Sequence, residues 1–172
     1  MGRSMGFGEA VRTCLRKYAT FGGRARRSEY WYFFLFSLLL RIAASIVDVI
    51  VFGGGPDPEA MAARTPAFES VINLVLFLPS LSVAVRRLHD TNRSGWLMFG
   101  FILYLVVVAA GVFLGFASAF ATHTEPSETA IAVAVALALG AAAYGLFLFV
   151  LTVLDGTPGD NRYGPDPKGR AG

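Results

Sequence analysis

The chain has 172 residues, of which 55% are hydrophobic and 16% charged, with a formal net charge of +3 and a single cysteine. That balance is too apolar for an ordinary soluble domain, and the length suits one domain. Lone Cys14 and two distant histidines exclude an internal disulfide and a Cys/His metal cluster.

The first element in chain order is a helix. Phe7, Ala10, Val11, Cys14, Leu15, Tyr18 and Phe21 recur at helical spacing, with Glu9, Arg12, Arg16 and Lys17 largely between them. The pattern predicts a basic amphipathic helix that lies in the headgroup layer of a membrane or packs on the base of a bundle. Four apolar runs follow, at 30–52, 67–85, 96–120 and 130–154. Each is long enough to cross a hydrocarbon core of roughly 30 Å as a helix. The fold class expected is therefore all-α: a polytopic membrane protein with four transmembrane helices behind an amphipathic N-terminal helix. Residues 1–29 form a basic segment, 30–154 the bundle, and 155–172 a Gly/Pro-rich tail. No short apolar stretch with a cleavage-like site precedes the first run, so no removable signal peptide is read.

The charge of the connections alternates in sign. Residues 1–29 hold seven basic side chains against Glu9 and Glu29. The first loop, 53–66, has Asp57 and Glu59 against Arg64 and reads as irregular through its Gly-Gly-Gly-Pro-Asp-Pro run. The loop 86–95 has Arg86, Arg87 and Arg93 against Asp90, and 121–129 has Glu125 and Glu128 with no Lys or Arg. The positive-inside rule then puts both termini and the second loop in the cytoplasm, with the first and third loops outside. Tyr30, Trp31, Tyr32 and Trp96 mark the inner aromatic belt. Pro79 inside the second run should kink it or free a carbonyl. The pair Gly111/Gly115 and the Ala-rich last run, with Gly140 and Gly145, predict close helix packing.

Polar residues inside the spans share faces. Ser37, Arg41, Ser45 and Asp48 lie on one face of the first, and Glu69, Asn73 and Ser80 on one face of the second. Buried charge is costly in hydrocarbon. Arg41, Asp48, Glu69 and Asn73 are accordingly expected to form a polar seam, with Arg41 paired directly or through Asn73 to a carboxylate. Such a seam serves as structural glue or, in a small transporter or channel component, as a proton or ion path.

Three polar segments fall on the cytoplasmic face by topology alone: Phe21-Gly-Gly-Arg-Ala-Arg-Arg-Ser-Glu-Tyr-Trp, Arg86-Arg-Leu-His-Asp-Thr-Asn-Arg-Ser-Gly-Trp and Asn161-Arg-Tyr-Gly-Pro-Asp-Pro. With these motifs in this order between apolar runs, the chain resembles the bacterial inner-membrane proteins grouped as domain of unknown function 805, over roughly residues 18–167. The resemblance implies a multi-helix inner-membrane protein and no established activity. The chain departs from the family pattern at Asn92, where Gly is usual, and at Leu97, where a second Trp is frequent. Asn tolerates left-handed backbone, so the turn should be kept.

Arg24, Arg26, Arg27, Arg86, Arg87, Arg93 and Arg162 can converge at the inner headgroup layer, with Glu29, His89, Asp90 and Asp166 to orient them. Arg forks bind phosphate and carboxylate bidentately. The expectation is a site for anionic lipid headgroups or a protein partner, set against a salt-bridged cap that only fixes the helices. A homo-oligomer is also open. No catalytic residue is assigned: His89-Asp90 suggests a membrane enzyme acting on a lipid phosphate, but no nucleophile is marked beside it. No metal, cofactor or nucleic-acid partner is indicated, since phosphate-loop, calcium-loop and nucleic-acid-reading patterns are missing from the sequence.

Overall fold

The computed structural model describes residues 5–52, 66–122, 124–125 and 127–170. Most of the irregular first loop lies outside them. Among the described residues five helices follow one another: α1 Phe7–Arg16, α2 Arg27–Phe52, α3 Ala67–Asp90, α4 Trp96–Thr122 and α5 Glu128–Val153. The last four are each long and apolar enough to cross a membrane. The chain is an all-helical polytopic membrane protein.

Helix bounds differ from the apolar runs where polar residues stay helical. α2 begins at Arg27, before the first aromatic, and α3 runs on through Arg86, Arg87 and His89 to Asp90. Hydropathy falls there while the backbone hydrogen bonding continues. The turn after α3 passes through Asn92 at φ +57°, so the left-handed position is kept without glycine.

The bundle is two hairpins. α2 packs along α3, and α1 lies across both with Ala10 and Cys14 fully buried. Phe7 and Leu15 of α1, and Tyr18 just beyond it, remain substantially exposed. α1 is therefore docked on the helices as well as apolar on its outer side. Cys14 meets Phe33, Leu76 and Val83 in the core of this unit. α4 pairs with α5 through two tyrosines: Tyr104 donates to the Leu137 carbonyl and Tyr144 to the Leu97 carbonyl, each at 2.9 Å. A side chain on Gly140 would stand 2.6 Å from the Tyr104 hydroxyl, so the small residue there makes room for the ring.

The other small pair behaves differently from the expectation of close packing. Cβ atoms built on Gly111 and Gly115 meet nothing within 4 Å, and no residue of α4 is buried. The groove between Gly111/Gly115 and the Ala-rich start of α5 stays open at about 500 Å³. Small residues permit close approach but do not compel it. Here the tyrosine bonds and the Leu88, Leu148, Leu151 cluster hold the helices at their other ends.

Pro79 leaves a specific vacancy in α3. It has no N–H, so the Val75 carbonyl four residues earlier lacks its helical donor. The Tyr18 hydroxyl, just beyond α1, fills that role. The Ser82 hydroxyl donates to the Lys17 and Thr20 carbonyls and fixes the same segment. Tyr18→Phe is therefore expected to cost about 1–2 kcal/mol, the penalty of an unsatisfied carbonyl. In a Pro79→Ala background the restored N–H should make it nearly silent. Unfolding titrations of the two single variants and the double variant measure this coupling; equal costs in both backgrounds would show that Tyr18 serves something other than that carbonyl.

Candidate functional site

Charge concentrates at the end of the bundle where α2 starts and α3 and α5 stop. A helix C-terminus leaves up to four carbonyls without helical donors, together with the negative end of the macrodipole. Two such ends meet here. Cationic donors are the natural partners, and the planar guanidinium offers five N–H groups.

Arg87, fully buried, projects from the end of α3 and serves the end of α5. Its Nε donates to the Thr152 carbonyl at 3.1 Å, its Nη2 to Leu154, and its Nη1 to the Asp90 carboxylate and, at 3.4 Å, to Ala25. Arg24 comes from the segment before α2 and is also buried. It bonds the other Asp90 oxygen at 2.9 Å through Nε, and reaches the Gly159 and Thr157 carbonyls, each at 2.6 Å. Asp166 lies 3.8 Å from its Nη2. Asp90 is thus shared by two buried arginines, one on each carboxylate oxygen.

Arg86 points to the opposite side of α3, where it pairs with Glu29 beneath α1. Its Nε and Nη2 are buried with no hydrogen-bond partner among the described residues. Cys14 sits 3.8 Å from the Glu29 carboxylate. Burial, with the Glu29 charge next in weight, pushes its thiol up to about 12, which keeps it protonated and unreactive.

The tail folds back over this end. Thr157 donates its N–H to the Asp90 carbonyl at 2.9 Å, and Asn161 donates to the His89 carbonyl at 3.0 Å. Tyr163 stacks flat on His89 with ring centroids 3.9 Å apart, and the Arg162 guanidinium lies over the same tyrosine. His89 Nδ1 is 3.1 Å from the Gly23 carbonyl. This ring is held by stacking and a backbone contact, with no nucleophile presented to it. Asp166 accepts from Arg170 at 2.7 Å and from the Lys168 amide at 2.9 Å. Burial alone would raise its carboxyl, but these bonds outweigh it and hold it at about 2.

The expected seven-arginine site therefore divides. Arg24, Arg86 and Arg87 are buried and used by internal carboxylates and carbonyls, which corrects the expectation that they face a ligand. Arg26 donates to the Pro167 carbonyl. Arg27 stands 3.6 Å from Asp155 in an exposed pair. Arg162 reaches the Asn92 carbonyl at 3.3 Å. Arg93 is exposed and forms no ion pair among the described residues. Glu29, Asp90 and Asp166 do hold arginine forks, while His89 meets none directly. Sequence reading left Arg12 and Arg16 out of the site, although they lie on the exposed side of α1. With Phe7, Val11, Leu15 and Phe36 they line an open groove of about 520 Å³. Their i, i+4 spacing was the available signal.

The seam between α2 and α3 is also rearranged. Asp48 is fully buried, and its two oxygens accept the Phe68 and Glu69 amides at 2.9 and 2.8 Å. It is an N-cap for α3 donated by the neighbouring helix. Arg41 pairs with neither Asp48, which is committed to those amides, nor Glu69, and its Nε is buried with no hydrogen-bond partner among the described residues. Asn73 is exposed and Glu69 half-buried.

A family profile described as protein of unknown function (DUF805) matches residues 18–165. The chain is 32% identical over 155 residues to inner membrane protein YhaI of Escherichia coli (strain K12), across 90% of this chain and 91% of that protein. It is 29% identical over 154 residues to inner membrane protein YhaH of the same organism, across 90% and 92% respectively. No solved structure gives a significant match.

Proposed function

The chain belongs to the family described as protein of unknown function (DUF805), and from that premise we propose that it is a bacterial inner-membrane protein whose exposed basic rim binds anionic lipid headgroups. The observation that carries this reading is the division of the arginines. Arg24, Arg86 and Arg87 are spent inside the cap, whereas Arg12, Arg16, Arg27, Arg93 and Arg162 stay exposed around it. The exposed apolar side of α1 adds a surface for acyl chains next to Arg12 and Arg16.

In this reading the capped end, with both termini, faces the cytoplasm. The basic residues gather there, and the described residues of the opposite end bring Glu69, Glu125 and Glu128. An anionic leaflet attracts each such Lys or Arg by about 1 kcal/mol. The test is native mass spectrometry from nanodiscs containing phosphatidylglycerol and phosphatidylcholine. Arg12→Gln/Arg16→Gln should reduce retained phosphatidylglycerol several-fold and leave phosphatidylcholine unchanged. Equal retention of phosphatidylglycerol by wild type and variant would reject lipid binding at this rim and favour an acidic protein partner.

A further inference from the structure

We propose that the cavity beside Arg41 is a binding site for a lipophilic monocarboxylate, entered from within the bilayer. The cavity has a volume of about 250 Å³ and lies against α2 and α3 alone. Its polar residues are Arg41, Ser37, Ser80 and Tyr30; Phe34, Leu38 and Val83 supply apolar wall. Arg41 stands eleven residues along α2 from Tyr30, about 16 Å at 1.5 Å per residue, and so near the middle of the membrane.

Two of the residues that line this space carry donors without an internal partner. Arg41 Nε is buried with no hydrogen-bond partner, and the Ser80 hydroxyl forms no hydrogen bond among the described residues. Ser37, which also lines the cavity, donates to the Phe33 carbonyl at 2.8 Å. An intramembrane cation without an internal counter-charge marks a functional site by default. The carboxylate that could have neutralised it, Asp48, is committed to the N-terminus of α3.

The chemistry narrows the ligand. One guanidinium balances one negative charge and accepts a carboxylate as a bidentate pair. A phosphomonoester carries close to two charges near neutral pH. It would leave one uncompensated in a medium of low dielectric. A carboxylic acid can enter the hydrocarbon in its neutral form, pair with Arg41 as the anion and release its proton to water. Phe34 and Leu38 are about half exposed, so the wall opens sideways to the acyl region and a chain longer than the cavity can extend into it. A free fatty acid and a short lipophilic acid share this chemistry. The proposal is independent of the basic-rim reading, since it uses none of the rim residues.

The experiment is equilibrium binding of radiolabelled oleate and, separately, octanoate to the full chain in phosphatidylcholine nanodiscs. Wild type should show a saturable component of one acid per chain. Arg41→Gln removes only an unpaired cation and should fold, and it should weaken that component at least tenfold. Ala84→Leu fills the cavity with Arg41 intact and should also abolish it. Saturation by oleate alone assigns a membrane-derived fatty acid, and by octanoate alone a short acid. No saturable component with either probe, or equal binding by wild type and Arg41→Gln, overturns the site.

Discussion

Asp90→Ala is expected to take the cap apart while leaving the four long helices inserted. Asp90 is 1% exposed and holds two buried guanidinium groups, those of Arg24 and Arg87, one on each oxygen. Removing one partner of a single buried pair costs about 3–5 kcal/mol, mostly because the remaining charge is stranded. Two stranded arginines put this variant at or above the upper end of that range, against a total stability of about 5–15 kcal/mol for a typical domain. The spans should persist, because their backbone hydrogen bonds are internal and lipid gives them no alternative. The loss should therefore appear as a lowered unfolding midpoint with unchanged helicity and as protease cleavage in the tail after α5. Asp90→Asn keeps shape and one acceptor oxygen and should fall between. An Asp90→Ala protein with wild-type midpoint and a protected tail would show that this carboxylate does not organise the cap.

The same geometry explains why three separate motifs are needed to build one end of the molecule. Arg24 stands in the first motif, Arg86, Arg87 and Asp90 in the second, and Asp166 in the third. Neither α3 nor α5 can satisfy its own terminal carbonyls. Arg87 leaves α3 to bond the last turn of α5, and the tail beyond α5 returns to bond the last turn of α3. The exchange ties the two hairpins together at the end where they touch, and it sets the orientation of α2 through Arg24 and Ala25, whose N–H bonds the Arg86 carbonyl at 3.0 Å. Basic residues at this end therefore divide in two: Arg24, Arg86 and Arg87 are internal fasteners, whereas Arg27, Arg93 and Arg162 are exposed.

Much of this fold was legible from the sequence, because hydropathy reports burial in lipid directly. The four spans and the amphipathic α1 follow from periodicity and length alone. Partners were not legible, because each depends on where a distant element lands. Asp48 reads as a buried charge needing a cation, and instead it meets backbone amides about twenty residues on. Pro79 announces an orphaned carbonyl, but nothing in α3 says that Tyr18 supplies the donor. The pair Gly111/Gly115 signals that helices could approach, and they do not. Arg24, Arg86 and Arg87 carried the same signal as Arg93; only the fold separates buried fork from exposed charge.

Gly156→Ala tests the cap from its steric side, with the next largest expected effect. The chain leaves α5 and passes so close to Asp90 that a Cβ on Gly156 would stand 2.0 Å from one carboxylate oxygen and 2.4 Å from its carbon. The backbone there is not in the left-handed region, so glycine is required for space and not for conformation. Asp90 cannot yield without breaking its bonds to Arg24 and Arg87. One added methyl should therefore cost about 3 kcal/mol, the upper end for overpacking, by displacing either the tail or the ion pairs. Gly22→Ala is the control in the same region: its φ is ordinary and a Cβ there meets nothing within 4 Å. It should be neutral or slightly stabilising, since alanine restricts the unfolded chain. Unfolding midpoints and tail proteolysis of the two variants decide the matter. Equal behaviour would mean that the approach of Gly156 to Asp90 is not a fixed part of the fold. A selective loss in Gly156→Ala would show that the cap is close-packed around its carboxylate, as a device for locking helix ends must be.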